Sequence, residues 1–213
     1  MARQTQGEAN RLDIRPETPA DHMAVEALTR EAFWNVYRPG CVEHYLLHRL
    51  RGSLGYLPHM HLLALEGEAI VGSIVYSRSR VQGAEGTGWD TLTFGPLSVL
   101  PGRQRQGIGS ALVRHTLALA LAAGERAVII LGSPAYYGRF GFGPAAQYGL
   151  TLPDGSSFDA FMALPLYPGA LAGVHGIYRE DAAFEGIDDA AVEAYDRGFV
   201  PKEKLKLPGQ LFQ

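Results

Sequence analysis

Three observations predict a single α/β domain. The 213 residues are near the top of the usual single-domain range and long enough to bury a sizeable core. The composition, 46% hydrophobic and 19% charged, is that of a globular protein, so disorder is expected only at the ends, residues 1–11 foremost. Short apolar runs with strand spacing alternate with runs at helical spacing, and one strand passes through two glycines directly into a helix.

Leu12-Asp13-Ile14-Arg15 alternates as a short strand, and Thr18-Pro19-Ala20-Asp21 reads as a helix start with proline near the first position. Val25, Leu28, Ala32 and Phe33 recur at helical spacing, which predicts a helix to about Tyr37, broken by Arg38-Pro39-Gly40. A second helix is expected over 42–51 and a loop over 52–58. Strands over 60–65 and 69–81 enclose the turn Glu66-Gly67-Glu68, and 82–88 is a glycine-rich hairpin tip. The next strand, 89–100, contains Gly95-Pro96, and proline within a strand marks an edge, a bulge or a place where pairing stops. The helix over 107–123 is apolar almost all round and must be covered on most sides. Further strands are expected over 127–131, 158–166 and 173–178. A helix over 188–197 is capped by Asp188 or Asp189, with Ala191, Val192 and Tyr195 facing inward. The basic tail 202–208 is expected to be solvated or lightly docked.

Several function classes are disfavoured. A formal charge of −3 offers no net attraction for a polyanion, so nucleic acid is not an expected partner. One cysteine, Cys41, excludes an internal disulfide framework and reads as a core or helix-start residue in a reducing compartment. Residues 1–10 are polar and no 18-residue apolar run exists, so a cytoplasmic protein without membrane contact is expected. The His59-x-His61 pair would share one side of a strand, but no Cys or carboxylate stands beside it at ligand spacing, and no metal is expected. No G-x-S-x-G elbow supports a serine hydrolase.

The run Gln104-Arg105-Gln106-Gly107-Ile108-Gly109-Ser110 carries the chemistry. The first turn of a helix has N–H groups without intrahelical partners, and the aligned peptide dipoles add about half a positive charge there. A pyrophosphate fits both properties, and glycines let it approach the backbone. A Rossmann fingerprint fails because its third glycine falls on Leu112, and a P-loop fails because no Lys-Ser or Lys-Thr pair follows. What remains is Q-x-x-G-x-G after the strand Phe94-Gly95-Pro96-Leu97-Ser98-Val99-Leu100. Downstream, Ala127-Val128-Ile129-Ile130-Leu131 is followed by Gly132-Ser133-Pro134-Ala135-Tyr136-Tyr137-Gly138-Arg139-Phe140-Gly141-Phe142.

Over 12–166 these two motifs, in this order and spacing, resemble the GNAT superfamily of N-acetyltransferases, and in detail its YhbS-like bacterial branch. The resemblance implies a mixed, mostly antiparallel twisted sheet of about six to seven strands flanked by helices and splayed between strands 4 and 5. Residues 167–213 are then an extension packed on the domain. Acetyl-CoA is the implied cosubstrate, its pantetheine arm lying in the splay against Leu97, Ser98 and Val99. Its pyrophosphate would lie on Gln104, Arg105, Gln106, Gly107, Ile108, Gly109 and Ser110. Aligned on the Gly-Phe pair, Tyr137 falls on the tyrosine that many members use as general acid. Tyr136, Arg139 and Phe140 replace the family's Leu, Lys and Leu. The family's Asn is replaced by Ile130, with Ser133 available for similar polar work.

The implied reaction is direct attack by a primary amine of a small molecule or peptide. An alkyl ammonium is mostly charged at neutral pH, so it must lose a proton first. The N–H of Val99 would meet the developing oxyanion, and the phenol of Tyr137 would serve the departing thiolate. The base is unassigned among Glu31, Glu43, His44, Asp90 and Ser98. The acceptor would lie between the first two helices and the loops 52–58 and 82–88, near Phe33, Trp34, Tyr37, Tyr45 and Tyr56. The alternative is a non-catalytic acyl-CoA sensor or scaffold. Oligomeric state, a homodimer included, is left open.

Overall fold

The computed structural model describes residues 12–211, so the expected flexible segment 1–11 lies outside the described residues. Strands β1 (Leu12–Pro16), β2 (Leu62–Glu66), β3 (Ala69–Gln82) and β4 (Gly88–Val99) form an antiparallel meander. β5 (Ala127–Leu131) lies parallel to β4, and the edge beyond it is built from β6 (Gly143–Pro144) and β8 (Phe161–Pro165). β7 (Leu150–Thr151) and β9 (Gly176–Arg179) pair with each other, and β9 also joins the far end of β3. The order β1-β2-β3-β4-β5-β8-β6 is the expected mixed sheet, β9 falls on the strand expected over 173–178, and β6 and β7 add to the strands foreseen.

Side chains alternate across a strand, and here the alternation sorts two layers. Leu62, Ala64, Ile74 and Tyr76 face α3 (Ile108–Ala122), where Leu112 and Val113 are fully buried. Leu63, Leu65 and Val75 face the opposite layer of α1 (His22–Phe33) and α2 (Glu43–Arg51), meeting Val25, Leu47 and Leu50. Two shorter helices follow, α4 (Pro134–Tyr137) and α5 (Asp189–Asp196), the latter capped by Asp188, whose side chain accepts the Ala191 N–H. No helix among the described residues is long and apolar enough to cross a membrane.

Two segments differ from expectation. α1 stops at Phe33 rather than near Tyr37, because Asn35 adopts a left-handed φ of 60° and its side-chain oxygen accepts the Gly40 N–H at 2.8 Å. Asparagine tolerates that conformation through such local bonds. The tail docks on the same residue: Trp34 Nε1 and Asn35 Nδ2 both donate to the Glu203 carbonyl, and Leu205 N donates to Asn35 Oδ1. His59 lies in a 3-10 turn, Pro58–Met60, so the His59-x-His61 pair does not share a strand face. His61 is buried, its Nδ1 2.9 Å from Glu17 and its Nε2 3.1 Å from Ser73 Oγ.

Charges bind the helical layer to the sheet. Arg51 reaches Glu17 at 2.6 Å and also grips Glu26, three groups almost wholly removed from water. Arg30 holds Asp196 of α5 at 2.6 Å. Removing one partner of such a set leaves a buried charge uncompensated, at a cost of roughly 3–5 kcal/mol.

His44 lies within this layer without solvent contact, and burial pushes its imidazole down to about 4. A histidine depressed in the folded state contributes stability above its ordinary value near 6.5 and loses it as pH falls. The unfolding free energy, measured by denaturant titration, is therefore expected to decline as pH drops from about 6.5 toward 4. A flat profile over that window would contradict the burial of a neutral His44.

Candidate active site

β4 and β5 meet at one pair, Leu92 with Val128, and then part. On the β3 side β4 stays paired to Val99, with a register shift where Gly95 and Pro96 pass the single residue Val75. Phe94, Tyr137 and Phe142 fill the base of the gap, with ring centroids 5.6 Å apart for Phe94–Tyr137 and 6.1 Å for Phe94–Phe142. A cavity of about 1090 Å³ opens above this wedge.

The ladder determines which amides face the gap. Leu100 N donates to Val71 O while Val99 stands opposite Gly72, so the alternation of an antiparallel pair turns the N–H groups of Leu97 and Val99 away from β3. Both residues line the cavity. Ser98 does not: its backbone faces β3 and its buried hydroxyl donates to Thr29 Oγ1 at 3.0 Å. Ser98, expected at the coenzyme arm, therefore lies off the cavity lining.

At the far end the cavity runs into the first turn of α3. Gly107 is the N-cap at φ 89° and Arg105 also has a positive φ of 62°, so this loop turns its N–H groups into a concave face that suits an anion. Gly107, Ile108, Gly109 and Ser110 all border the cavity. The two glycines act for different reasons. Gly107 is needed for its backbone conformation, with open space around it. Gly109 is needed for space, since a Cβ there would stand 2.8 Å from the Tyr136 hydroxyl. Gln104 secures the loop by donating to the Val99 carbonyl at 3.2 Å. Gln106 instead donates to the Gly102 carbonyl and lies off the cavity. Arg103 is held by Glu66 at 2.9 Å, whereas Arg105 borders the cavity and makes no ion pair with the described residues.

Ser133, the N-cap of α4, and Tyr137 line the middle of the cavity. Burial, with smaller contributions from Tyr136 and Tyr37, holds the Tyr137 phenol well above the ordinary tyrosine range, so it is protonated at any working pH. Facing it, α1 and α2 contribute Phe33, Trp34, Tyr37, Glu31 and Glu43. The loops 52–58 and 82–88 contribute nothing to the wall. Phe184, far along the chain, borders the cavity instead. Tyr45 packs on Tyr195 and Tyr56 bonds to His61, so only three of the five expected aromatics reach the site.

The same geometry sorts the candidate bases. Asp90 is exposed and paired with Arg80, and Ser98 is on the other face. His44 forms a chain with Cys41, whose Sγ is 3.3 Å from His44 Nδ1, and with Asp196, 3.2 Å from His44 Nε2. His44 and Cys41 are sealed from solvent, and burial pushes the Cys41 thiol up to about 12 and the His44 imidazole down, so they hold neither thiolate nor imidazolium near neutral pH. Glu31 and Glu43 alone of the five border the cavity.

A sequence model for the acetyltransferase (GNAT) domain matches residues 13–145. This chain is a GNAT acetyltransferase. The Escherichia coli K12 protein named "Uncharacterized N-acetyltransferase YhbS" is 34% identical over 165 residues, 77% of this chain and 93% of its own length. The crystal structure of E. coli YhbS in complex with CoA superposes with a TM-score of 0.75 at 30% identity, over 87% of this chain and 98% of that one. A Brucella melitensis GNAT acetyltransferase in complex with acetyl-CoA superposes with a TM-score of 0.65 at 31% identity, over 82% of this chain and 99% of that one.

Two contributions of the acetyltransferase's site carried no sequence signal. Tyr136 reads as a departure from the family pattern, yet its hydroxyl closes on Gly109. Arg139 braces that ring, its guanidinium 4.7 Å from the Tyr136 centroid and its Nε donating to the Tyr136 carbonyl at 2.9 Å. Gly107→Ala should cost about 1–2 kcal/mol, the price of a side chain in the left-handed region, read from denaturant unfolding. No loss would mean that the loop does not need the left-handed turn.

Proposed function

We propose that this acetyltransferase moves an acetyl group from acetyl-CoA to a primary amine of a small molecule or peptide by direct attack in a ternary complex. The observation that carries this reading is the continuity of free donors, from the Leu97 and Val99 amides in the splay to the glycine turn at α3. The fit is geometric: a gap beside unpaired strand amides suits an extended amide-bearing arm, and a helix N-terminus at its end suits a pyrophosphate. The two relatives solved with CoA and acetyl-CoA cover nearly their full length with this fold.

When bound, acetyl-CoA would supply a thioester carbonyl and a thiolate leaving group. The chain's residues do the rest. The Val99 N–H stabilises negative charge on the carbonyl oxygen, Tyr137 offers its phenol proton to the departing sulfur, and Ser133 gives the arm a polar neighbour beside α4. The only cysteine is sealed off the cavity, which favours direct transfer over an acyl-cysteine route. Through Phe184, residues beyond 167 take part in the acceptor wall.

Release of CoA against a panel of primary amines tests the reading, and turnover with none of them would overturn it. Gly109→Val should weaken acetyl-CoA binding at least tenfold, about 1.4 kcal/mol, since it both drives the Tyr136 hydroxyl aside and crowds the first turn of α3. Calorimetric titration of the folded variant with unchanged affinity would remove the pyrophosphate assignment. Tyr137→Phe should keep coenzyme affinity and the acceptor KM while kcat falls roughly 10²-fold. Steady-state rates within threefold of the parent would leave Tyr137 a packing residue.

A further inference from the structure

We propose that Glu43 receives the ammonium of the acceptor and takes its proton, and that the acceptor is a primary amine carried on an aromatic or apolar body lying against Phe33, Tyr37 and Phe184. This rests on the acetyltransferase reading and specifies its unassigned half. Of the two carboxylates on the cavity, Glu31 is half exposed and held by Lys202 at 2.7 Å. Glu43 is different. Its Oε2 accepts the Val42 N–H at 3.0 Å, its own backbone N–H also lies against the carboxylate, and no cation among the described residues forms an ion pair with it. Arg38, the nearest positive charge, is engaged with Asp189 at 2.8 Å.

The other groups that sense Glu43 are few. Tyr37 stands beside it, its phenol raised by burial and by the Glu43 charge, and Cys41 sits behind it as a neutral thiol. Glu43, Tyr37 and Tyr137 all border the same cavity, a carboxylate and two phenols. Burial raises the Glu43 carboxyl against the pull of Arg38 and of its backbone donors, which brings it closer to the range where a base works near neutral pH. A carboxylate with no ion-pair partner in a partly dry pocket is the group an ammonium would seek.

The walls define the rest of the acceptor. Val36 is 45% and Tyr37 43% exposed, both apolar surface on the cavity, with Phe33 6.0 Å from Tyr37 between ring centroids. Phe184 closes the opposite side near Gly95. An aromatic body would cover these faces and leave its amine at Glu43.

The balance is as follows. The ammonium gives one proton to Glu43, the freed nitrogen forms the N–C bond, and the C–S bond breaks with its electron pair on sulfur. Nitrogen loses a second proton on becoming the amide. Of the two protons released, one ends on the coenzyme sulfur by way of Tyr137 and one reaches solvent from Glu43.

The test uses 2-phenylethylamine and ethylamine as acceptors, with acetyl-CoA, in the parent and in Glu43→Gln. Glutamine can still accept the Val42 N–H, so the fold should be kept. At pH 7 kcat/KM for 2-phenylethylamine is expected to fall roughly 10²-fold in Glu43→Gln with acetyl-CoA affinity unchanged by calorimetry. The deficit should narrow as pH rises toward about 10, where the free amine no longer needs a base. The parent should prefer 2-phenylethylamine over ethylamine by at least tenfold. A Glu43→Gln deficit within threefold, or one constant with pH, overturns the assignment of Glu43. Equal use of the two amines overturns the acceptor class. Acetyl-CoA binding by the parent without transfer to any amine overturns the acetyltransferase reading itself, and this inference with it.

Discussion

β4 is held by β3 along its length and released by β5 after a single residue pair, and the site depends on that asymmetry. Had the two strands stayed zipped, Leu97 and Val99 would spend their amides on β5 and the cavity would close. Phe94, two residues past the last pair with β5, packs against Tyr137 and Phe142. Tyr137 thus belongs to the aromatic cluster beside the parting and also borders the cavity.

The second constraint is electrostatic and lies in the α1–α2 layer. Arg51 between Glu17 and Glu26, and Arg30 on Asp196, fix two helices and α5 against the sheet with groups that must stay paired. The cavity wall that carries Phe33, Tyr37 and Glu43 is the outer end of that layer. Asn35 ends α1, turns the chain at Gly40 into α2, and anchors the tail at Glu203 and Leu205, so the positions of Tyr37 and Glu43 follow from one left-handed residue and its hydrogen bonds.

Much of this was legible in the sequence because it rests on local rules. Glycine turns, proline within β4, the apolar all-round α3 and the Tyr137 motif have short-range causes, and each element fell within a few residues of its expected place. What was not legible depends on distant partners. The register that sets Ser98 against Ser73 and its hydroxyl on Thr29 is not written locally. The loops 52–58 and 82–88 looked like an acceptor wall, but Phe184, far along the chain, borders the cavity instead. The two-residue strand β7 has little pattern of its own and pairs with β9 more than twenty residues on. Nothing local in the sequence says that Arg51, Glu17 and Glu26 meet in the interior.

Amide hydrogen exchange on the whole chain, with and without acetyl-CoA, bears most directly on the free strand edge as the coenzyme's binding surface. The Leu97 and Val99 amides should exchange fast alone and slow strongly when acetyl-CoA is added, together with those of Ile108 and Gly109. Ser98, already committed to β3, should be slow in both states. Exchange at Leu97 and Val99 that is unchanged by saturating acetyl-CoA would contradict the pairing of the coenzyme with β4.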